Sequence, residues 1–205
     1  MKTARRFALG LGLLALSASA IAATTVYTTP ASFLANVAPG SYFESFTDLP
    51  SLPSVPSSFA GGGFAYTLSA TGGLYLSDLD FIGTNLDDQA LTITFTSGNV
   101  SAIGGNFFAT DFDDAFQPVA ITLTLSDATT VTFTPATLAD SYRGFTSDVT
   151  ITSLTIAPPG AARYANLDNF TVGAAVVPEP AAALLMALGG AALLWARRRR
   201  DRAIP

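Results

Sequence analysis

Apolar residues and threonines alternate along the middle of this chain. Leu91-Thr92-Ile93-Thr94-Phe95-Thr96 keeps the alternation over six positions, Ile121-Thr122-Leu123-Thr124-Leu125 repeats it, and Val131–Thr134 and, less regularly, Ile151–Ile156 follow. A period of two with β-branched threonine on the outer face marks a sheet that has one side on a core and one in water. Further strands are predicted at 42–46, 64–68, 73–76, 102–108, 142–146 and 167–172, with one more in the polar stretch from Thr24 to Pro39. No window of the body reaches a helical period of useful length. Gly72-Gly73, Ser97-Gly98-Asn99, Ser126-Asp127 and Pro158-Pro159-Gly160 read as turns, and residues 50–63, with three prolines, several serines and Gly61–Gly63, read as one long loop.

About ten short strands at spacings near a dozen residues predict an all-β domain over 24–177: two packed antiparallel sheets, a jelly-roll-like β-sandwich. A solenoid is disfavoured because the strands share neither a fixed period nor a turn motif.

The two ends have another composition. Residues 1–22 carry Lys2, Arg5 and Arg6, an apolar run from Phe7 to Leu16, and small residues that offer an A-x-A site at Ala18–Ala20 or Ala20–Ala22. This is the layout of a signal peptide, so signal peptidase and the general secretion machinery are expected partners. At the other end, 178–202, Pro178-Glu179-Pro180 precedes sixteen uncharged residues (181–196) and then Arg197-Arg198-Arg199-Arg200. Sixteen residues cover about 24 Å as a helix, which with Trp195 and snorkelling arginine is expected to serve as a transmembrane helix. The two prolines keep the preceding segment extended and open to a protease.

Composition narrows the chemistry. The chain has no His and no Cys, which removes disulfides, thiolate nucleophiles, imidazole bases and zinc sites built from those residues. Between Thr24 and Val177 thirteen acidic side chains stand against Arg143 and Arg163, a net charge of about −11 that repels nucleic acid and anionic lipid. Carboxylate chemistry and carboxylate metal binding survive.

The C-terminal arrangement resembles the PEP-CTERM sorting signal of Gram-negative bacteria: Pro178, Glu179 and Pro180 match the motif, 181–196 the helix, and Arg197, Arg198, Arg199 and Arg200 the basic stop. The resemblance implies recognition by an exosortase, a transient inner-membrane anchor, and release to the cell surface or extracellular matrix, in a family linked to exopolysaccharide and biofilm. The body, through Tyr42–Phe46, Ile103–Phe108 and Leu167–Val172, resembles the β-sandwich ectodomains attached to this signal and, more loosely, lectin-like carbohydrate-binding jelly rolls. Those modules commonly share a calcium ion between an early glutamate and an aspartate of the last strand. Glu44 and Asp168, with Asn166 completing the shell, stand at the corresponding points.

Three other groups are candidates. Asp111, Asp113 and Asp114 pack three carboxylates into four residues and suit calcium, although the spacing is not that of an EF-hand. Asp78, Asp80, Asp87 and Asp88 form a second acidic group that solvation in a loop explains. Tyr142 beside Arg143 offers an aromatic face and a guanidinium fork to a sugar. The expected function is that of an exported, non-catalytic surface or matrix protein. The alternative is a secreted carbohydrate-active enzyme built on an aspartate pair.

Overall fold

The computed structural model describes residues 23–47, 49, 50, 55–176 and 189. In chain order the elements are β1 (Thr24–Tyr27), α1 (Pro30–Leu34), β2 (Tyr42–Glu44), β3 (Ser58–Gly61), β4 (Phe64–Ser69), β5 (Leu74–Leu76), β6 (Ile82–Thr84) and β7 (Leu91–Phe95). They continue with β8 (Ala102–Thr110), β9 (Phe116–Gln117), β10 (Ile121–Leu125), β11 (Thr130–Phe133), β12 (Tyr142–Ser147), β13 (Ser153–Ile156) and β14 (Tyr164–Gly173). The larger sheet runs β1-β12-β8-β14-β6-β5, with β2 also on β14 and β9 also on β8; the smaller runs β11-β10-β13-β7-β4-β3. Every strand pairing is antiparallel. The two-sheet, jelly-roll-like sandwich read from the alternation is therefore the fold of the body.

The core between the sheets is aromatic. Tyr66 stacks on Phe59 at 5.2 Å and meets Phe170 edge-on at 5.2 Å, while Phe46 stands perpendicular to Phe59 at 5.5 Å. Ile93, Leu123, Leu154, Ile103 and Phe145 fill the remainder, all fully buried. The threonines of β7 and β10 point the other way, as the period of two requires.

The larger sheet is covered on its outer face as well. Both faces of β8 are buried. Over its first half lies α1, whose N-cap Thr29 accepts from the Ser32 N–H at 3.3 Å and whose Phe33 is fully buried. Over its second half Phe81 meets Phe108 at 5.3 Å, and Phe116 approaches from β9. Short covering pieces of this kind carry no period of their own. That is why α1 leaves no mark in the alternation; β3, β6 and β9 belong to the sheets themselves, but with four, three and two residues they are too short to mark it, and β3 sits inside the stretch read as a loop.

The expectation of a membrane helix is corrected. Among the described residues no helix is long and apolar enough to cross a membrane; α1, at five residues, rises only about 7.5 Å. The segment 181–196 lies outside the described residues except for Gly189, and so do residues 1–22 and Pro178–Pro180. The described fold is the sandwich without a span, and the inner-membrane anchor expected with that span is withdrawn with it.

Candidate functional site

The outer face of the larger sheet is open where β5, β6, β8 and β14 meet. Tyr164 of β14 lies opposite Thr110 of β8, Asn166 opposite Gly83 of β6, and Gly83 opposite Tyr75 of β5, which sets these residues in adjoining rows. Glycine is required at 83: a Cβ there would collide with Asn166 Oδ1. Asn166 is fully buried, and its Nδ2 donates to Thr110 Oγ1 at 3.0 Å and to the Tyr164 carbonyl at 3.1 Å. Its Oδ1 has no hydrogen-bond partner. A buried amide with one half unpaired costs on the order of 1–3 kcal/mol, so the fold gives up stability at this point of the sheet.

The turn between β8 and β9 forms the wall. Asp111 Oδ1 accepts from the N–H groups of Asp113 (3.1 Å) and Ala115 (3.0 Å), and its Oδ2 accepts from Gln117 Nε2 at 2.7 Å. The turn is thereby fixed by its own carboxylate, an Asx arrangement. Asp114, at φ +61°, reaches across to β5 and accepts from Tyr75 Oη at 2.9 Å and Ser77 Oγ at 2.7 Å. Burial first, and then the bond to Asp114, raise the Tyr75 phenol above its ordinary range, so it remains a donor. Between the two aspartates Phe112 stands 84% exposed.

These groups enclose a cavity of about 350 Å³ with Tyr75, Phe112 and Tyr164 around it, Asp111 and Asp114 on one side, and Thr84, Asn85 and Thr110 below. Aromatic faces present C–H-binding surfaces, and carboxylate and amide oxygens accept from hydroxyls. The acidic wall disfavours anions.

The calcium expected from the sequence is corrected. Among the described residues no group of three or more acidic, His or Cys side chains is placed to hold a metal ion. Asp111 and Asp114 have turned their oxygens onto donors of the fold, as above. Glu44 lies opposite Phe170 in the β2–β14 pairing and accepts from Tyr42 Oη and the Phe46 N–H. Asp168 lies on the other side of a bulge in β14, opposite Asn106, and accepts from the Asn169 N–H and Nδ2. Asn166 leaves its Oδ1 unpaired, but that atom stands against Gly83 of β6, and no cluster of carboxylates among the described residues meets it there. The β2–β14 pairing brings Glu44 opposite Phe170, two residues from Asp168, but the two carboxylates take separate donors and share none.

Two members of the second acidic group, Asp87 and Asp88, hold the fold. Asp87 Oδ2 accepts from Ala162 N at 2.7 Å and Asp88 Oδ1 from Gly160 N at 3.1 Å, closing the loop before β14. Tyr142 and Arg143 diverge. Tyr142 faces outward against Phe33 with ring centroids 6.2 Å apart, and borders a second depression of about 380 Å³ with Asn106 and Asn169. The Arg143 guanidinium lies 3.6 Å over the Phe133 ring and donates to the Asp140 carbonyl. Neighbours in a strand point to opposite faces, so the pair does not converge on one ligand.

Tyr75, Phe112 and Tyr164 were not singled out by the sequence. The signal that marks them is Phe112 itself, an aromatic set among three aspartates in a turn, where no core can claim it. No protein-family model, no curated protein and no solved structure matches this chain; the likeness of its tail to a sorting signal rests on the tail residues alone.

Proposed function

We propose that this chain is an exported, non-catalytic surface or matrix protein whose sandwich holds a saccharide unit of a neutral exopolysaccharide. The observation that carries this reading is the open pocket in which Tyr75, Phe112 and Tyr164 surround hydroxyl acceptors. Phe112 at 84% exposure, next to a carboxylate already locked into its turn, serves contact with a ligand better than it serves the fold. Asp111 takes protein donors on both oxygens and Asp114 takes them on Oδ2, which leaves Asp114 Oδ1 to accept a ligand hydroxyl and suits an acid and base pair across a glycosidic bond less well. Pro178-Glu179-Pro180 and Arg197–Arg200 support delivery by an exosortase-type enzyme that reads the PEP-CTERM pattern.

Calorimetric titration of the purified protein with exopolysaccharide from the producing strain and with a panel of neutral oligosaccharides tests the reading. Saturable binding without a change in chain length of the glycan is expected. Release of shorter products, abolished by Asp114→Asn, would establish the enzyme instead. Mass spectrometry of the surface-recovered protein tests delivery: the major species should end between Val177 and Pro180, and an intact peptide running from Pro180 to Arg197 would count against the sorting signal.

A further inference from the structure

The main chain of Ala23 is held at both ends of the residue. Its N–H donates to Asp148 Oδ1 at 2.9 Å, and its carbonyl accepts from the Asp148 N–H at 3.4 Å. One residue on, Thr24 Oγ1 donates to the Asp127 carboxylate. Burial opposes the charged form of Asp127, but the donors from Thr24 and Thr129 together outweigh it and lower its pKa. Ala23 and Asp148 share a depression of about 500 Å³ with Asn99, Thr150 and Val176, so the chain enters and leaves the sandwich at one pole. A carboxylate therefore waits at one particular backbone nitrogen, where an amide N–H uses only part of what it offers. The residues before that nitrogen, Ala20-Ile21-Ala22, carry small side chains at the two positions a signal-type peptidase reads.

We propose that the mature chain begins at Ala23 and that its new α-ammonium group forms an ion pair with Asp148, which fastens the first strand to the sandwich. Hydrolysis of the Ala22–Ala23 bond breaks C–N and adds the oxygen of water to the Ala22 carbonyl carbon, which leaves as a carboxylate; the Ala23 nitrogen keeps its own hydrogen, takes both protons of that water and becomes the ammonium. The existing hydrogen bond is kept and becomes charge-assisted, roughly twice the strength of a neutral one. The alternative cut after Ala20 leaves Ile21 and Ala22 ahead of the contact and moves the charge away from it. Asp148 and, through Thr24, Asp127 are the charged groups around this nitrogen. Tyr27 borders the same depression, with its hydroxyl 3.1 Å from that of Thr146. The inference is independent of what the outer-face pocket holds.

The full chain, expressed in an export-competent Gram-negative host and recovered after processing, gives the test. Amino-terminal sequencing should begin Ala23-Thr24-Thr25; a start at Ile21, or an uncut Met1, overturns the proposal. The mature protein and Asp148→Asn, which keeps an acceptor and loses the charge, are then unfolded thermally. At pH 7 the variant should melt about 1–3 °C lower, the effect of one surface ion pair in a domain of this size. An ammonium partnered by a carboxylate has its folded pKa raised above the usual value near 8. The difference is therefore full below that value and should shrink by at least half at pH 9.5. A difference that is zero at pH 7, or equal at pH 7 and pH 9.5, overturns the ion pair.

Discussion

Gly104 of β8 and Gly144 of β12 lie directly opposite one another, and the ring of Phe33 occupies the space that both side chains would need. A Cβ at Gly144 would stand 2.6 Å from Phe33 Cδ2, and one at Gly104 would stand 2.8 Å from Phe33 Cε1. Two strands without side chains form a pit, and the five-residue helix α1 is held to the sheet by the one aromatic that fills it.

Gly144→Ala should consequently lift α1. Neither ring nor backbone can yield by a full ångström, so a cost of about 1–3 kcal/mol is expected, as for overpacking elsewhere. Phe33→Ala removes the occupant and should cost about 3–5 kcal/mol. Because both changes destroy the same contact, the double variant should be clearly less destabilised than their sum. Equilibrium denaturation of the four proteins measures this, and strict additivity would show that Phe33 does not depend on the pit.

The alternation in sequence made the strands legible wherever one face is wet. Leu91–Phe95, Ile121–Leu125 and Val131–Phe133 all lie in the smaller sheet, whose outer face carries threonine. It failed on the larger sheet's coverings for the opposite reason: β8 is buried on both faces, so Ile103 and Phe107 face the sandwich core while Ala102 and Phe108 face its covering, and what covers it is too short to be periodic. The acidic turn was legible as Asp111, Asp113 and Asp114, but its chemistry was not. Whether a carboxylate meets a cation or a backbone N–H depends on loop geometry, and Asp111 answers to Asp113 N and Ala115 N. Asp114 needed the fold to bring Tyr75 within reach across 39 residues.

Asp168 makes the domain more stable in mild acid. Burial first, and then the charge of Asp80, push its pKa up to about 6, against an opposing hydrogen bond from Asn169. An unfolded aspartate titrates near 3.9. Between these values the folded protein holds more proton than the unfolded one, so stability falls as pH rises through this window and the full penalty stands above pH 6. Asp168→Asn should raise the melting temperature at pH 7 and give no advantage at pH 3.5. A variant that melts at or below wild type at pH 7 would show that Asp168 is accommodated as a charge.

Gly83→Ala should displace the buried amide of Asn166, which holds Thr110 and Tyr164. The new methyl must displace Asn166 Oδ1, and Asn166 Nδ2 then loses Thr110 Oγ1 and the Tyr164 carbonyl. Destabilisation of about 2–4 kcal/mol is expected from a lost buried hydrogen-bond pair together with steric overlap. Asn166→Ala in the same background should recover part of it, since the obstructing amide is gone. Chemical denaturation of the single and double variants decides the matter, with no recovery counting against the steric account.

Phe112 and Asp114 separate ligand contact from fold. Phe112 is 84% exposed, so Phe112→Ala should leave stability within about 0.5 kcal/mol of wild type. If it stacks on a sugar ring, the same change weakens saccharide binding by roughly 3- to 10-fold, the worth of one aromatic contact. Asp114→Asn keeps the shape but leaves a weaker acceptor for Tyr75 Oη and Ser77 Oγ, which should cost about 0.5–1.5 kcal/mol of stability and lower affinity as well. Titration calorimetry beside thermal unfolding distinguishes the two: Phe112→Ala moves affinity alone, and Asp114→Asn moves both. If Phe112→Ala binds the saccharide as wild type does, the exposed aromatic is not part of the site and the pocket reading falls with it.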